Sequence, residues 1–490
     1  MTGIDIVLIN PGDRRKVYQG LGADLAAIEP PFWVAVLAAY LRQEGFRVSI
    51  IDANAENIPP DETARRAADL KPIISCVVVY GSQPSASTQN MTTAGAICRE
   101  LTERKAGRVA VGGLHPSALP ERTLREEAID FVIEGEGPET LKRLLNELAT
   151  PRPDFSRVPG LWYRDETGPR SNHRAPLIAD LDSYLPIGAW DLLPMHLYRA
   201  HNWHCFDDLE HRSPYGAIYT SLGCPYNCVF CCINAPFGKP GIRYRSPERV
   251  LDEMTLLANT YGVKNLKIVD ELFILKEDHY MVIVEGIIER NLDLNIWAYA
   301  RIDTVKPANL AKMKRAGINW LALGIESANP DVRDGAEKRM QPRDIASVVR
   351  SIQEAGIRVI GNFIFGLPED TLDTMEETMQ LAIDLNCEFI NFYCAMAYPG
   401  SRLYDIAVAE NWELPPAWHA FSQHGYEMLP LPTRTLSAAE VLRFRDDAFH
   451  RYFANPTYLD MIEKKFGAAV RNHLVEMSST RLKRKLSETE

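Results

Sequence analysis

Four of the nine cysteines in this 490-residue chain lie between Cys224 and Cys232, directly after the predicted strand at 216–221. Cys224, Cys228 and Cys231 follow the spacing C-x3-C-x2-C. Thiolates in one short loop can converge on a single metal centre, and iron–sulfur clusters take their protein ligands from cysteine thiolates, usually four. Three protein ligands would leave one iron open to a substrate or cofactor, much as a catalytic zinc keeps one position for water.

A structural zinc site is the first alternative, with Cys232 as the fourth ligand. Successive side chains diverge in extended backbone, so two adjacent cysteines rarely ligate one tetrahedral ion. The paired C-x2-C knuckles of zinc sites are also missing. We therefore expect an iron–sulfur site, with a fortuitous cluster of cysteines as the second alternative. We expect Cys232 to be a small buried residue, while a catalytic thiol remains the weaker hypothesis for it.

The composition indicates an ordinary globular protein without a strong basic field. The chain is 46% hydrophobic and 24% charged and has a formal net charge of −11, which argues against bulk nucleic-acid binding. No apolar run reaches the ~18 residues of a membrane span, and the first residues lack the pattern of a signal peptide. We expect a cytoplasmic location, where an odd number of cysteines is not a disulfide framework. The basic run at 481–486 is typical of a solvated helix end.

Residues 1–150 alternate between strand and helix patterns. Buried strands are predicted at 4–9, 48–51, 73–80, 109–113 and 131–135. Short apolar strands separated by helical crossovers indicate an α/β domain with a doubly wound parallel sheet, which binds ligands in loops at the carboxyl ends of its strands.

The remaining chain divides into three predicted segments. Residues 151–213 are a proline-rich connector with a hairpin, residues 214–400 are a second strand–helix array, and residues 401–490 are a mostly helical region that closes the active site. The second array has predicted strands at 216–221, 266–270, 295–300, 320–327, 358–366 and 389–396. Six units are fewer than the eight of a closed barrel, so a partial (β/α)6 barrel is expected.

With Phe230 before its last cysteine, the motif C-x3-C-x-aromatic-C resembles the signature of the radical SAM superfamily, and the resemblance covers residues 215 to 400. It implies a [4Fe–4S] cluster on Cys224, Cys228 and Cys231. It also implies that the open iron chelates S-adenosylmethionine (SAM), which reductive cleavage converts to methionine and a 5′-deoxyadenosyl radical. An external electron donor such as flavodoxin or ferredoxin is the partner implied.

The same resemblance assigns SAM contacts to the ends of later strands. Asp270 and Glu271 stand where the family has a GGE motif, and this departure puts the expected contact to the SAM amino group in doubt. Tyr299 and Arg301 would reach the SAM carboxylate or the substrate, and a surface salt bridge is the alternative for the arginine. The ribose-contacting strand corresponds to Glu326 and Ser327, and the adenine motif to Gly361, Gly366 and Pro368.

The N-terminal loops closely resemble the cobalamin-binding, flavodoxin-like domain that is fused to many radical SAM enzymes. The candidate residues are those at the predicted strand ends, namely Asn10, Pro11, Gly81, Ser82, Gln83, Gly112, Gly113, His115, Pro116, Glu134, Gly135, Glu136 and Gly137. The DxHxxG motif that brings a histidine to cobalt is missing, and His115 is expected to shape its loop. An empty domain is one alternative, and a flavin or nucleotide is another, although no GxGxxG follows the first strand.

The whole chain resembles cobalamin-dependent (class B) radical SAM enzymes, most of which are methyltransferases. The resemblance implies transfer of a methyl from SAM through methylcobalamin to an unactivated carbon or phosphorus centre of a small molecule, by a 5′-deoxyadenosyl radical mechanism. Tyr393 and Cys394 are the catalytic candidates near the substrate. The alternatives are a cyclase or rearrangement enzyme with the same cofactors, an RNA methylthiotransferase, and a non-catalytic cobalamin or redox sensor.

Overall fold

The structure is a computed structural model that describes residues 3–81, 84–338 and 344–488. Strands form two large sheets that follow one another along the chain, the first mixed and the second parallel, and a separate antiparallel pair. The strands are β1 Ile6–Asn10, β2 Val48–Asp52, β3 Ile74–Val79, β4 Arg108–Gly113, β5 Phe131–Ile133, β6 Leu161–Asp165, β7 Gly168–Ser171, β8 Tyr215–Ile218, β9 Ser221–Leu222, β10 Arg243–Tyr244, β11 Asn265–Ile268, β12 Asn295–Ala300, β13 Ile318–Glu326, β14 Arg358–Phe365 and β15 Phe389–Cys394.

Helices cover the faces of both sheets. They are α1 Arg14–Leu25, α2 Phe32–Gln43, α3 Ala53–Glu56, α4 Pro60–Asp69, α5 Pro84–Glu103, α6 Leu114–Ala118, α7 Pro120–Glu126, α8 Pro138–Leu148, α9 Leu181–Tyr184, α10 Pro247–Tyr261, α11 Glu277–Glu289, α12 Pro307–Arg315, α13 Pro330–Gly335, α14 Ile345–Glu354, α15 Leu372–Leu385, α16 Arg402–Ala409, α17 Ala438–Phe453, α18 Pro456–Phe466, α19 Ala468–Ser479 and α20 Lys485–Glu488. Among the described residues, none of these helices is long and apolar enough to cross a membrane.

The first sheet has the strand order β2-β1-β3-β4-β5-β6-β7. Its first five strands pair in parallel, and the order 2-1-3-4-5 is that of a flavodoxin-like sheet, as predicted. The hairpin β6–β7 adds two antiparallel strands beside β5, so this sheet continues past residue 150. Every residue of β3 is buried, which is the pattern of a central strand with helices on both faces.

The second sheet has the order β8-β11-β12-β13-β14-β15, with all neighbours parallel. The strands β8 and β15 form its two edges and do not pair with each other, so the barrel is open on one side, as six units predict. The carboxyl ends of these strands meet at one edge, which is where loops of parallel barrels carry functional residues.

Helix α17 covers the open side next to β15. Ser437 and Glu440 form a capping box that fixes its first turn. Its aromatic face packs on the sheet, with the rings of Phe444 and Phe365 5.0 Å apart. The segment after α19 runs back over this region and is not the solvated helix end that the basic run predicted, because Arg484 is buried there.

A buried ion pair joins the two sheets. Glu29, in the loop before α2, accepts a hydrogen bond from Lys267 of β11 at 2.9 Å. The ammonium of Lys267 also lies 4.7 Å from the ring centre of Trp297. Removal of either partner would leave a charge buried without compensation, so this pair requires both units to be in place.

Candidate functional site

A cavity of about 1160 Å³ lies at the carboxyl ends of the second sheet. Its wall includes all three motif cysteines and Phe230, together with side chains from the N-terminal unit such as Tyr18 and Gln89. Ligand pockets in proteins are usually ~300–1,000 Å³, so this cavity exceeds the space that one small ligand needs. The site is therefore large enough for a cofactor and a substrate together.

The cysteine loop is held in place by backbone hydrogen bonds. Gly223 has φ +88°, and a Cβ there would lie 2.5 Å from the carbonyl oxygen of Gly241. The amide of Gly241 donates to the carbonyl of Cys224 at 3.0 Å. The amide of Val229 donates to the carbonyl of Ala336 at 3.0 Å, which ties the loop to the end of α13. These bonds fix the loop with its three thiols on the cavity wall.

Burial raises the pKa of all three thiols, that of Cys224 to about 11. Metal binding requires the thiolate, so a bound cluster would have to offset this burial. In the described part of the chain, no group of three or more His, Cys, Asp or Glu side chains is arranged to hold a single metal ion. Three soft thiol donors on one loop nevertheless fit the donor set of an iron–sulfur cluster.

Cys232 is buried, as expected, with 2% of its surface exposed. It packs with Leu114 of the N-terminal unit and Ile233. Burial raises the pKa of its thiol to about 12. A neutral thiol in an apolar contact is a packing residue, so the structure favours this role for Cys232 over a nucleophilic one.

A second polar group on the wall is the ion pair of Glu326 and Lys338. Glu326 has φ +66° at a bulge between β13 and β14. Its carboxylate accepts a hydrogen bond from Lys338 at 2.6 Å, and both side chains line the cavity. Gly324 makes room for the pair, because a Cβ there would lie 2.6 Å from the carboxylate. Sequence analysis identified Glu326 but missed Lys338, which lies in a loop twelve residues later.

Arg301 and Tyr299 also lie on the wall, at the end of β12. The guanidinium of Arg301 stacks over the ring of Tyr226 at 3.9 Å from its centre. It also pairs with Asp303 at 3.0 Å. Arg301 is therefore held rigidly by a ring from the cysteine loop and by a carboxylate, and it is not the surface salt bridge that was the alternative.

Glu271 is the carboxyl group on the wall that has an unsatisfied oxygen. Its Oε2 has no hydrogen-bond partner among the described residues. Burial raises the pKa of Glu271 to about 8. A buried acceptor without a donor is costly, and a ligand that brings an N–H group would satisfy it.

We expect Glu271→Gln to stabilise the SAM-free protein relative to wild type, and increasingly so as the pH rises from 6 to 8. The folded-state pKa of Glu271 lies above its ordinary value of 4.5, so the native state holds an extra proton in this range and loses stability as the pH rises. Glutamine does not titrate. Melting temperatures measured at pH 6, 7, 8 and 9 test this.

Glu354→Gln is the matched control, because Glu354 is an exposed residue at the end of α14. Its melting temperature should follow that of wild type at every pH. A pH-independent difference between Glu271→Gln and wild type would contradict the unpartnered carboxyl.

Five of the predicted SAM residues are not among those that line the cavity, and two of these are Asp270 and Ser327. Asp270 is buried and accepts hydrogen bonds from the amide of Thr220 at 2.6 Å and from the hydroxyl of Ser221 at 2.6 Å. Ser327 is buried against the hydroxyl of Thr378 at 3.1 Å. The structure gives both side chains partners within the protein, and their contact with SAM stays a prediction.

The adenine motif spans the end of β14 and the residues that follow it, and its glycines and proline are not among the residues that line the cavity. Strand residues alternate between faces, and the wall receives Ile360, Asn362 and Ile364. A Cβ on Gly361 would lie 2.9 Å from the ring of Phe363, and one on Gly366 would lie 2.4 Å from Val441 of α17. These glycines thus permit close packing in the protein, and Pro368 also lies outside the wall.

The predicted catalytic pair Tyr393 and Cys394 lies on the wall at the end of β15. The side chain of Gln423 continues this strand, since it accepts from the amide of Cys394 at 3.0 Å and donates to its carbonyl at 2.9 Å. Burial raises the pKa of Cys394 to about 12. Both residues line the cavity, and their chemical role stays a prediction.

At the edge of the first sheet lies a narrow space of about 80 Å³. Its lining includes Asn10, Pro11 and Gly81, three of the predicted cobalamin residues. Ser82 and Gln83, two others, lie outside the described residues. The rings of Trp33 and Tyr80 stack here with centres 4.5 Å apart. Tyr18, Glu29 and Gln89 line both this space and the large cavity, so the two adjoin.

The other predicted cobalamin residues lie outside these linings: Gly112, Gly113, His115, Pro116, Glu134, Gly135, Glu136 and Gly137. His115 is buried, with its Nδ1 3.2 Å from the hydroxyl of Thr88 and its ring edge-on to Trp418, and its role in shaping the loop stays a prediction. Glu134 accepts from Trp162 at 2.8 Å, and Glu136 pairs with Arg243 at 2.7 Å.

Side-chain amides and hydroxyls line this edge, for example those of Asn10 and Tyr80. They can form hydrogen bonds with a ligand that has many amide groups, such as a corrinoid. The narrow space alone is smaller than a corrin ring, and only together with the adjoining part of the large cavity does it offer enough room. The chemistry of the edge therefore fits cobalamin held between the two sheets.

Two family models match the chain. The B12 binding domain matches residues 18–145, and the Radical SAM superfamily matches residues 218–382. An uncharacterized methyltransferase of Pyrococcus horikoshii is 32% identical over 423 residues, which is 86% of this chain and 87% of that protein. The anaerobic magnesium-protoporphyrin IX monomethyl ester cyclase of Rubrivivax gelatinosus is 25% identical, over 90% of this chain and 77% of that protein.

The fold is similar to that of the radical SAM methyltransferase TsrM from Kitasatospora setae, solved with cobalamin and a [4Fe–4S] cluster bound. The TM-score is 0.68 at 20% identity, and the match covers 93% of this chain and 90% of that one. This match confirms the predicted order of a parallel-sheet unit, a partial barrel and a helical region.

Proposed function

Since this chain belongs to the family of radical SAM enzymes that carry a B12-binding domain, we propose that it transfers a methyl group from SAM to an unactivated carbon or phosphorus centre of a small molecule. The three cysteine thiols open onto a cavity that also reaches the edge of the B12-binding sheet. A methyl donor at that edge and a cluster at the opposite wall would therefore share one chamber with the substrate.

The cofactors of this family are a [4Fe–4S] cluster, SAM and cobalamin. Cys224, Cys228 and Cys231 would hold the cluster, and the space lined by Asn10, Pro11 and Gly81 would hold cobalamin. When bound, these groups supply the methyl group and the one-electron chemistry. An external one-electron donor, such as flavodoxin or ferredoxin, would reduce the cluster.

The residues of the chain bind and orient SAM. We assign the SAM carboxylate to Lys338, because an ammonium 2.6 Å from Glu326 faces the cavity beside the cysteine loop. Glu326 has a second carboxylate oxygen available for ribose hydroxyls. The unpartnered Oε2 of Glu271 would accept from the SAM amino group. Arg301 would contribute its positive charge at the same end.

The substrate would lie between this SAM end and the B12-binding edge. Tyr299, Tyr393 and Tyr398 give the chamber an aromatic wall, and Cys394 lies next to it. Such a wall excludes water around the reacting centre and limits loss of a reactive intermediate to solvent. We keep Tyr393 and Cys394 as the candidate catalytic residues.

The formation of S-adenosylhomocysteine distinguishes methyl transfer from the alternatives. With reductant, SAM and cobalamin, the reconstituted enzyme should form S-adenosylhomocysteine, and omission of cobalamin should abolish it, because cobalamin carries the methyl. Deoxyadenosine without S-adenosylhomocysteine would instead support a cyclase, as one relative's name suggests. Cobalamin binding without either product would support a sensor and contradict the proposal.

A further inference from the structure

Two buried arginines lie on the cavity wall near the end of β15. Arg445 of α17 is 5% exposed, and Arg484, in the segment that follows α19, is 4% exposed. Both line the large cavity. Buried charges are normally paired, so the partners of these two guanidiniums determine what this part of the wall can bind.

The two arginines share one carboxylate. Arg484 donates to Asp446 at 2.9 and 3.0 Å, and Arg445 donates to Asp446 at 2.7 Å. Two positive charges and one negative charge leave a net charge of +1 at this group of three side chains. The remaining bonds of Arg484 go to neutral acceptors, namely the carbonyls of Gly425 and Gln423 and the Sδ of Met428.

One end of Arg445 remains available. Its Nε donates to the carbonyl of Phe392 at 2.8 Å, and its Nη1 donates to Asp446. Among the described residues, Nη2 has no hydrogen-bond partner. A guanidinium that is nine-tenths buried, lines a cavity and keeps a donor group free is arranged to bind an acceptor there.

This group lies at a different strand from the residues that we assign to SAM. Phe392 lies on β15, two strands from Glu326 on β13, and parallel neighbours are ~4.8 Å apart, so the two positions are about 10 Å from each other across the sheet. Burial, and then the charges of Arg445 and Arg484, lower the pKa of the neighbouring His424 to about 3. His424 is therefore neutral and adds no charge to the group.

Among the described residues that line the cavity near α17, the exposed charged side chains lie only at its rim. Glu440, Arg443 and Asp447 are exposed side chains of that helix, and Arg481 is exposed in the following segment. Both signs are present at the rim, so water screens them and they give no net preference. Discrimination between an anionic and a neutral ligand therefore depends on the buried group of Arg445, Arg484 and Asp446.

We propose that Arg445, supported by Arg484, binds a carboxylate of the substrate, and that the enzyme therefore acts on an apolar or aromatic carboxylic acid. The inference rests on the proposed function, since it names the substrate class of that chamber. A planar guanidinium matches a carboxylate, and a single net positive charge is balanced by a single negative one. The aromatic wall of the chamber would take the rest of the molecule.

A matched pair of probes tests this on the holoenzyme with cluster, cobalamin and SAM bound. Indole-3-propionate and 3-(indol-3-yl)propan-1-ol differ in that an alcohol replaces the carboxylate. By anaerobic titration calorimetry we expect the acid to bind wild type at least about tenfold more tightly than the alcohol. Arg445→Gln should lose that preference, and Asp446→Asn should increase it, because it raises the local charge. Arg451→Gln, an exposed position on the same helix, should keep it.

Equal affinity for the two probes, including no measurable binding of either, would overturn the proposal. So would an unchanged preference in Arg445→Gln, or a loss of SAM affinity in that variant, which would make Arg445 part of the SAM end. A reduced preference in Asp446→Asn would also overturn it, because the net charge of the group would then not determine the selection. Iron and cobalt are quantified in every protein, so failure of the cofactor assignment is seen separately from failure of this inference.

Discussion

Replacing Cys224, Cys228 and Cys231 together with alanine is expected to lower reductant-dependent 5′-deoxyadenosine formation more than about 1000-fold. These three thiols are the ligand set on the cavity wall, and without thiolates the iron has no protein ligand there. Iron should fall from about four per chain to background. Chromatographic quantification of deoxyadenosine, with iron measured on the same samples, checks the result.

Cobalt content provides an internal test of folding in the triple variant. The proposed cobalamin residues lie on the first sheet, so cobalamin binding should survive. Cys232→Ala is the matched control, because Cys232 is buried in the same loop and packs against Leu114 and Ile233. It should keep its iron. Deoxyadenosine formation by the triple variant, or loss of iron in Cys232→Ala alone, would contradict the ligand assignment.

Lys338→Met is expected to raise the Kd for SAM at least about tenfold and to lower the melting temperature. The substitution removes the proposed partner of the SAM carboxylate. It also leaves Glu326 as a buried carboxylate without its ammonium, and breaking a buried ion pair costs about 3–5 kcal/mol. Equilibrium binding of SAM and thermal melting measure the two effects on one preparation.

The double variant Glu326→Gln/Lys338→Met separates stability from binding. It removes both charges, so much of the lost stability should return, while SAM affinity should stay low. Lys306→Met is the control, because Lys306 pairs with Glu277 at the exposed surface, where an ion pair contributes little. Wild-type SAM affinity in Lys338→Met would show that the carboxylate binds elsewhere.

The sequence predicts this fold well because its signals are local. Apolar runs bounded by turns mark both sheets, and each predicted strand of the second sheet overlaps an observed strand. The cysteine spacing identifies the loop for the same reason, since three ligands lie within eight residues. A motif on one loop needs no knowledge of distant packing.

Which residues of a motif line the cavity could not be predicted from the motif alone. Gly361 and Gly366 match an adenine motif, yet they pack against Phe363 and Val441. The strand offers the alternate residues Ile360, Asn362 and Ile364 to the cavity. Likewise, Asp270 follows a strand end, but its carboxylate accepts hydrogen bonds from Thr220 and Ser221. Such contacts depend on neighbours that only the folded chain brings together.

Long-range pairs were missed for the same reason. Arg484 is buried because it meets Asp446 of α17, 38 residues away in the sequence. Lys267 is buried because Glu29 reaches it from the loop before α2, 238 residues away. In sequence the first belongs to a basic run and the second to a polar position in a strand. Their roles follow from tertiary structure, which charge patterning does not contain.

The most direct test of the cofactor assignment is anaerobic reconstitution of the wild-type protein with iron, sulfide and cobalamin. Iron, cobalt and reductant-dependent 5′-deoxyadenosine are then measured. We expect about four iron atoms and one cobalt per chain, and deoxyadenosine that depends on both reductant and SAM. Iron without cobalt would contradict the assignment of the first sheet. Absence of deoxyadenosine from a fully loaded protein would contradict the claim that this chamber carries out radical SAM chemistry.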